Sequence, residues 1–139
     1  MKSINLVTAV ERTYYRNLEG MRYFGLTSVM LPVGIVWSPL PVKTPCSLVI
    51  SDKNEDNNTL YTAKLVFKTC QDLVDRKHYV YRCRLADGRY RLLGSNERPF
   101  TIISVTEDMP ERITDSQLSE VTVTYTINRF IPFILPETF

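Results

Sequence analysis

The chain has 139 residues, a formal net charge of +2, 44% hydrophobic residues and 23% charged ones. That length predicts one domain, residues 1–139, with a core large enough to hold without staples. The composition excludes a disordered or collagen-like chain, and the near-balanced charge excludes a protein held to nucleic acid by bulk attraction alone. Three cysteines, Cys46, Cys70 and Cys83, are an odd number without CxxC spacing and fit neither a disulfide framework nor a structural zinc site.

In chain order, Ser3–Val10 carries Ile4, Leu6, Val7 and Val10 and reads equally as a first strand or a first helical turn. No long apolar run with a small-residue cleavage site follows Lys2, so no secretory signal is expected. Glu11–Phe24 places Tyr14, Leu18 and Met21 at helical spacing and allows one short amphipathic helix near residues 11–24. Leu26–Trp37 reads as one or two buried strands interrupted at Pro32, too short to span a bilayer. Pro39, Pro41 and Pro45 make a stiff connector.

Cys46–Ile50 is a brief apolar strand and Ser51–Thr59 a polar loop or hairpin tip. Asp52, Asn54 and Asp56 start like a calcium loop. Asn57 and Ala63 then stand where the glycine and the closing glutamate belong, so a solvated loop is favoured. Along Leu60–Cys70, Tyr61, Ala63, Leu65 and Phe67 share one face. Gln71–Lys77 is a polar connection.

The hairpin Tyr79–Leu93 is the sharpest feature. Tyr79, Tyr81, Cys83 and Leu85 alternate with Val80, Arg82 and Arg84, and Ala86-Asp87-Gly88 supplies the turn. Cys83 on the tyrosine side is expected to be a buried thiol. From Arg76 to Arg98 seven cations (Arg76, Lys77, Arg82, Arg84, Arg89, Arg91, Arg98) meet two anions (Asp87, Glu97). Arginine interleaved with tyrosine can hold phosphates and stack bases, which makes Arg82, Arg84, Arg89 and Arg91 candidate electrostatic contacts. The plainer reading, a solvated sheet face paired with the acidic stretch 107–120, is preferred. That stretch holds Glu107, Asp108, Glu111, Asp115 and Glu120 against Arg112.

Phe100–Val105 and Val121–Ile127 are further strands, the latter alternating Val, Val, Tyr, Ile with three threonines. The tail 130–139 is apolar and should dock, on its own domain or on a neighbour. Trp37, Phe130, Ile131, Phe133, Ile134, Leu135 and Phe139 are therefore candidate assembly contacts, with completion of the protein's own core the equal alternative. His78 is the sole histidine and is expected to be exposed; no nucleophile elbow, zinc ligand set or phosphate loop accompanies it. No catalytic residue, metal site or cofactor is expected.

The fold class that follows is mainly β: an antiparallel β-sandwich or small barrel of about six to eight strands with at most one short helix. From Tyr61-Thr62-Ala63-Lys64-Leu65, through Ala86-Asp87-Gly88-Arg89-Tyr90-Arg91-Leu92-Leu93-Gly94, Glu97-Arg98-Pro99-Phe100 and Asp115-Ser116-Gln117-Leu118, to Val121-Thr122-Val123-Thr124-Tyr125, the chain resembles small proteins from phage and prophage gene clusters of gut anaerobes. The resemblance covers roughly residues 60–127 and rests on turn and strand residues. It implies a non-enzymatic virion or assembly role, as a head–tail connector or tail component in a virion or host cytoplasm, with protein partners or a homo-oligomer and no membrane. It transfers no site residues. The alternative expectation is a nucleic-acid-binding module using the arginine-rich hairpin 76–98.

Overall fold

A computed structural model describes residues 2–55, 58–69, 78–107 and 119–135. The protein is mainly β. Its strands are β1 (Lys2–Tyr14), β2 (Arg22–Phe24), β3 (Ser28–Met30), β4 (Ser38–Pro39), β5 (Lys43–Glu55), β6 (Asn58–Thr69), β7 (Tyr79–Leu85), β8 (Tyr90–Leu93), β9 (Ile102–Glu107), β10 (Ser119–Ile127) and β11 (Phe133–Ile134). They form one 11-stranded sheet in the order β2-β3-β11-β8-β7-β1-β5-β6-β10-β9, with β4 beside β1. Every pairing is antiparallel except β11 with β3. The count exceeds the expected six to eight because β2, β3, β4 and β11 are only two or three residues long.

β1 is the strand on which the sheet turns. Its first half pairs with β5, from Lys2↔Ser51 to Val7↔Cys46. Its second half pairs with β7, from Val7↔Leu85 to Tyr14↔Tyr79. Between the two, Val7 faces Leu85 and Ala9 faces Arg84, so Thr8 is the extra residue of a bulge that bends the strand. Its hydroxyl donates to the Arg84 carbonyl at 3.4 Å. Because each half of β1 belongs to a different half of the sheet, the sheet folds over on itself in a sandwich-like manner. One core then gathers Val7, Val10, Leu48, Leu65, Val121 and Val123 with Tyr81, Cys83 and Leu93.

The alternation of β6 and β10 explains why they pair as they do. Val121↔Phe67, Val123↔Leu65 and Tyr125↔Ala63 stand opposite one another and are all buried, while the Thr62 and Thr126 hydroxyls meet at 3.3 Å on the outer face. A second, smaller core lies on the reverse side of β7–β8. Leu18, Val29, Val80 and Leu92 are fully buried there, covered by Tyr15, Met21, Leu31, Ile35, Trp37 and Ile134. β11 joins β2–β3 to the rest of the sheet. The Leu92 amide donates to the Pro132 carbonyl (3.1 Å), Phe133 to Thr27 (2.9 Å) and Leu135 to Val29 (3.0 Å).

Two sequence expectations are corrected. No α-helix occupies residues 11–24: β1 runs on to Tyr14, and a single 3-10 turn, Tyr15–Leu18, follows. Of the one or two buried strands expected over Leu26–Trp37, one is present, Ser28–Met30, and much of the stretch is exposed. Of the two readings of the polar stretch 51–59, loop or hairpin tip, the second holds: it ends the β5–β6 hairpin, paired as far as Glu55↔Asn58. The connection 71–77 and most of the acidic stretch 107–120 lie outside the described residues.

Candidate assembly surface

The arginine-rich hairpin closes as its sequence demands. The Leu85 amide donates to the Arg89 carbonyl (2.8 Å) and the Gly88 amide to the Leu85 carbonyl (2.9 Å), with Gly88 at φ 91°. Asp87 accepts the Arg89 amide at 3.0 Å and its Nε at 2.8 Å. These bonds, the amide first, hold the Asp87 carboxyl below its ordinary pKa.

The register across this turn separates the arginines. Arg84↔Tyr90, Cys83↔Arg91 and Arg82↔Leu92 are opposed, so Arg82 and Arg84 lie on one side and Arg91 on the other. The Arg82 guanidinium sits 4.7 Å from the centres of both the Trp37 and Tyr90 rings and donates to Glu11 at 2.7 Å. Arg91 is only 8% exposed and lies over Phe133 (4.2 Å) and Phe130 (5.4 Å), with no hydrogen-bond partner for its Nε. Burial, reinforced by the neighbouring Arg89 charge, lowers its pKa. Arg89 is exposed, pairs with Asp87 and covers the Phe133 ring at 4.2 Å. Arg84 is exposed. The four therefore do not share the phosphate-holding face that the hairpin sequence suggests.

The apolar tail packs on its own chain as far as it is described. Phe130 meets the Tyr61 ring at 5.9 Å, Ile131 is fully buried, Phe133 packs on the large core and Ile134 on the small one, and Leu135 bonds to Val29. Phe139 lies outside the described residues. Trp37 covers the small core. These side chains are packed on their own chain and, apart from buried Ile131, remain partly exposed.

Other expected features fall as follows. His78 is exposed, but its ring stacks on Phe100 at 4.3 Å with Tyr15 edge-on to both. Cys46 and Cys83 are buried, and burial raises the pKa of both thiols. Asp52 and Asn54 stand in strand pairing with Tyr61 and Thr59, not in a cation loop. Among the described residues no three His, Cys, Asp or Glu side chains come together, and no helix is long and apolar enough to cross a membrane.

The sequence also allows the 26–41 segment to bury against a neighbour, and it is there that most of the outward apolar side chains lie. Among the described residues seven large ones are exposed, and five of them fall within residues 24–36: Phe24 (64%), Leu26 (90%), Met30 (39%), Val33 (91%) and Val36 (79%). Leu26 and Val33 stand beside the positive-φ residues Gly25 and Gly34, where a polar residue would be the ordinary choice. Arg22↔Met30 and Phe24↔Ser28 pairing puts Phe24 and Met30 on one side of the β2–β3 hairpin, opposite Tyr23 and Val29, which serve the small core. The sequence signal was an aliphatic residue beside a turn glycine. Leu6 and Ile102 are the remaining two, and Ile102 opens β9, the opposite end of the sheet. No protein-family model, curated protein or solved structure matches this chain.

Proposed function

We propose that this protein is a non-enzymatic structural subunit of a phage-like particle, a head–tail connector or tail component, and that it works by protein–protein assembly. The observation that carries this reading is the exposed apolar set Phe24, Leu26, Met30, Val33 and Val36. Each such side chain would gain about 1.5–3 kcal/mol on full burial, and clustered exposure on this scale marks a surface that another molecule covers. The resemblance of its strand and turn motifs to small phage and prophage proteins supports the reading. In this arrangement the arginine hairpin and residues 130–135 act inside the subunit, holding the β2–β3 flank in place for a neighbour.

Light scattering of the purified chain across concentration tests the proposal. Wild type should form a discrete oligomer. The double variant Leu26→Asp/Val33→Asp should be monomeric with an unchanged circular dichroism spectrum and melting temperature. A wild type that stays monomeric at every concentration would overturn the self-assembly reading.

A further inference from the structure

We infer that in the assembled protein the slot between β3 and β8 is filled by residues 130–135 of a second copy, so that neighbouring subunits exchange β11. This rests on the assembly reading above and names its partner and its joint.

The slot and its occupant are both defined. β11 lies between β3 and β8, and among the described residues the hairpin β2–β3 is joined by strand pairing to the rest of the sheet through β11 alone. Ile131 is fully buried and Pro132 is buried, while Phe133 packs on the large core and Ile134 on the small one. The Pro132 carbonyl accepts the Leu92 amide on one side, and the Phe133 and Leu135 amides donate to the Thr27 and Val29 carbonyls on the other. Both edges of the slot and both cores therefore fit this segment. A second copy carries the same segment, so it fills the slot with contacts already present and needs no further complementary surface.

The tether of the segment favours exchange. β10 ends at Ile127, opposite Tyr61, and five strands separate β10 from β11 along the sheet. Residues 128–132 thus cross from one half of the folded sheet to the other. Asn128 and Arg129 are exposed and lie outside any strand, and the strand they lead to has two residues. A short crossing that leads to a brief strand is where chains swap elements.

The point of entry ties the exchange to the exposed apolar side chains. The Arg129 guanidinium lies 3.9 Å over the Tyr23 ring of β2. Arg129 is two residues beyond the end of β10, so a donated segment draws the end of the donor's β10 up to β2. The donor's body then stands beside the hairpin that turns Phe24 and Met30 outward, with Leu26 in its turn. Of all partners, a second copy is the one that brings a matching segment to that point.

The test uses two single variants of the full chain, Ser28→Cys and Phe133→Cys, with circular dichroism and melting temperature as folding controls. Ser28 and Phe133 are partners across β3 and β11. The variants are mixed in denaturant, refolded together above the association concentration and mildly oxidised, and the disulfides are mapped by peptide mass spectrometry. Each chain holds one of the two introduced thiols, so a bond between positions 28 and 133 must join two chains. The mixture should give a covalent species of twice the monomer mass that carries this bond, and neither variant alone should give it. A second measurement leaves the Phe133 side chain intact: Gly-Ser-Gly-Ser inserted between Asn128 and Arg129 lets the segment fold back on its own subunit. The oligomer should then be lost at concentrations where wild type keeps it, with the circular dichroism spectrum unchanged. A mixed oligomer without the bond between positions 28 and 133, or a lengthened chain that keeps the wild-type mass, would overturn the exchange while leaving the assembly reading in place. A monomeric wild type would overturn both.

Discussion

The β7–β8 and β2–β3 hairpins invert each other. β7–β8 and its turn carry Arg82, Arg84, Arg89 and Arg91 and turn one of them, Arg91, inward over Phe130 and Phe133. β2–β3 carries Phe24 and Met30 and turns them outward. The difference lies in what packs opposite. β7–β8 has a core on both sides, so a flat guanidinium with an aliphatic stem is kept wherever aromatic faces receive it. β2–β3 has a core on one side only, the side of Tyr23 and Val29. Charge density along a sequence therefore does not place every cation on the surface, and apolar density does not locate the core.

The comparison can be broken first at the buried leucines. Leu92→Ala, in the small core behind the arginine hairpin, should cost about 2–5 kcal/mol in a denaturant melt, whereas Leu26→Ala should stay within about 0.5 kcal/mol of wild type. Equal losses would mean that the β2–β3 flank is packed after all. Next, Arg82→Ala should cost about 2 kcal/mol, because it removes the cation between Trp37 and Tyr90 and strands Glu11, while Arg84→Ala should change stability by less than about 0.5 kcal/mol.

Arg91 sharpens the contrast further. Its guanidinium is buried without an ion pair among the described residues, so Arg91→Met, similar in length and apolar, should fall within about 1 kcal/mol of wild type in either direction. A loss as large as that of Leu92→Ala would show that its charge is needed. The smallest effect concerns the thiols. Cys46 and Cys83 should resist alkylation in the native state and react on unfolding, read by peptide mass spectrometry. With folded pKa values above those of the unfolded thiols, both contribute stability below the unfolded thiol pKa. That contribution shrinks as pH rises above it, because only the unfolded chain then loses the protons. Rapid native labelling of Cys83 would place it outside the core.

Much of the sheet was legible in the sequence. Val121–Ile127 and Tyr61–Phe67 alternate cleanly because each has one covered face, and Asp87-Gly88 announces its own turn. The inward side of Arg91 was also readable. Counting back across the three-residue turn opposes it to Cys83, but a run of arginines invites the assumption of a single face. The stretch 11–24 misled for a different reason. A strand end followed by a 3-10 turn puts Tyr14, Leu18 and Met21 at the spacing of a helix, and only the pairing of Arg12, Thr13 and Tyr14 with β7 distinguishes the two. The exposed flank was legible only in part: an aliphatic residue beside each of the turn glycines Gly25 and Gly34 is a signal, but whether Leu26 or Val33 is covered depends on chain far away in sequence. Of the candidate tail contacts, residues 130–135 touch their own chain, a contact that the apolar composition of the tail allowed but could not assign.

Amide hydrogen exchange, compared at concentrations below and above association, tests the account most directly. The prediction is slower exchange in the assembled state at Arg22–Phe24 and around Leu26 and Val33–Val36, with the hairpin Arg82–Arg91 unchanged. Protection gained across Arg82–Arg91 instead, with residues 22–36 unaltered, would contradict it and return the working surface to the arginines.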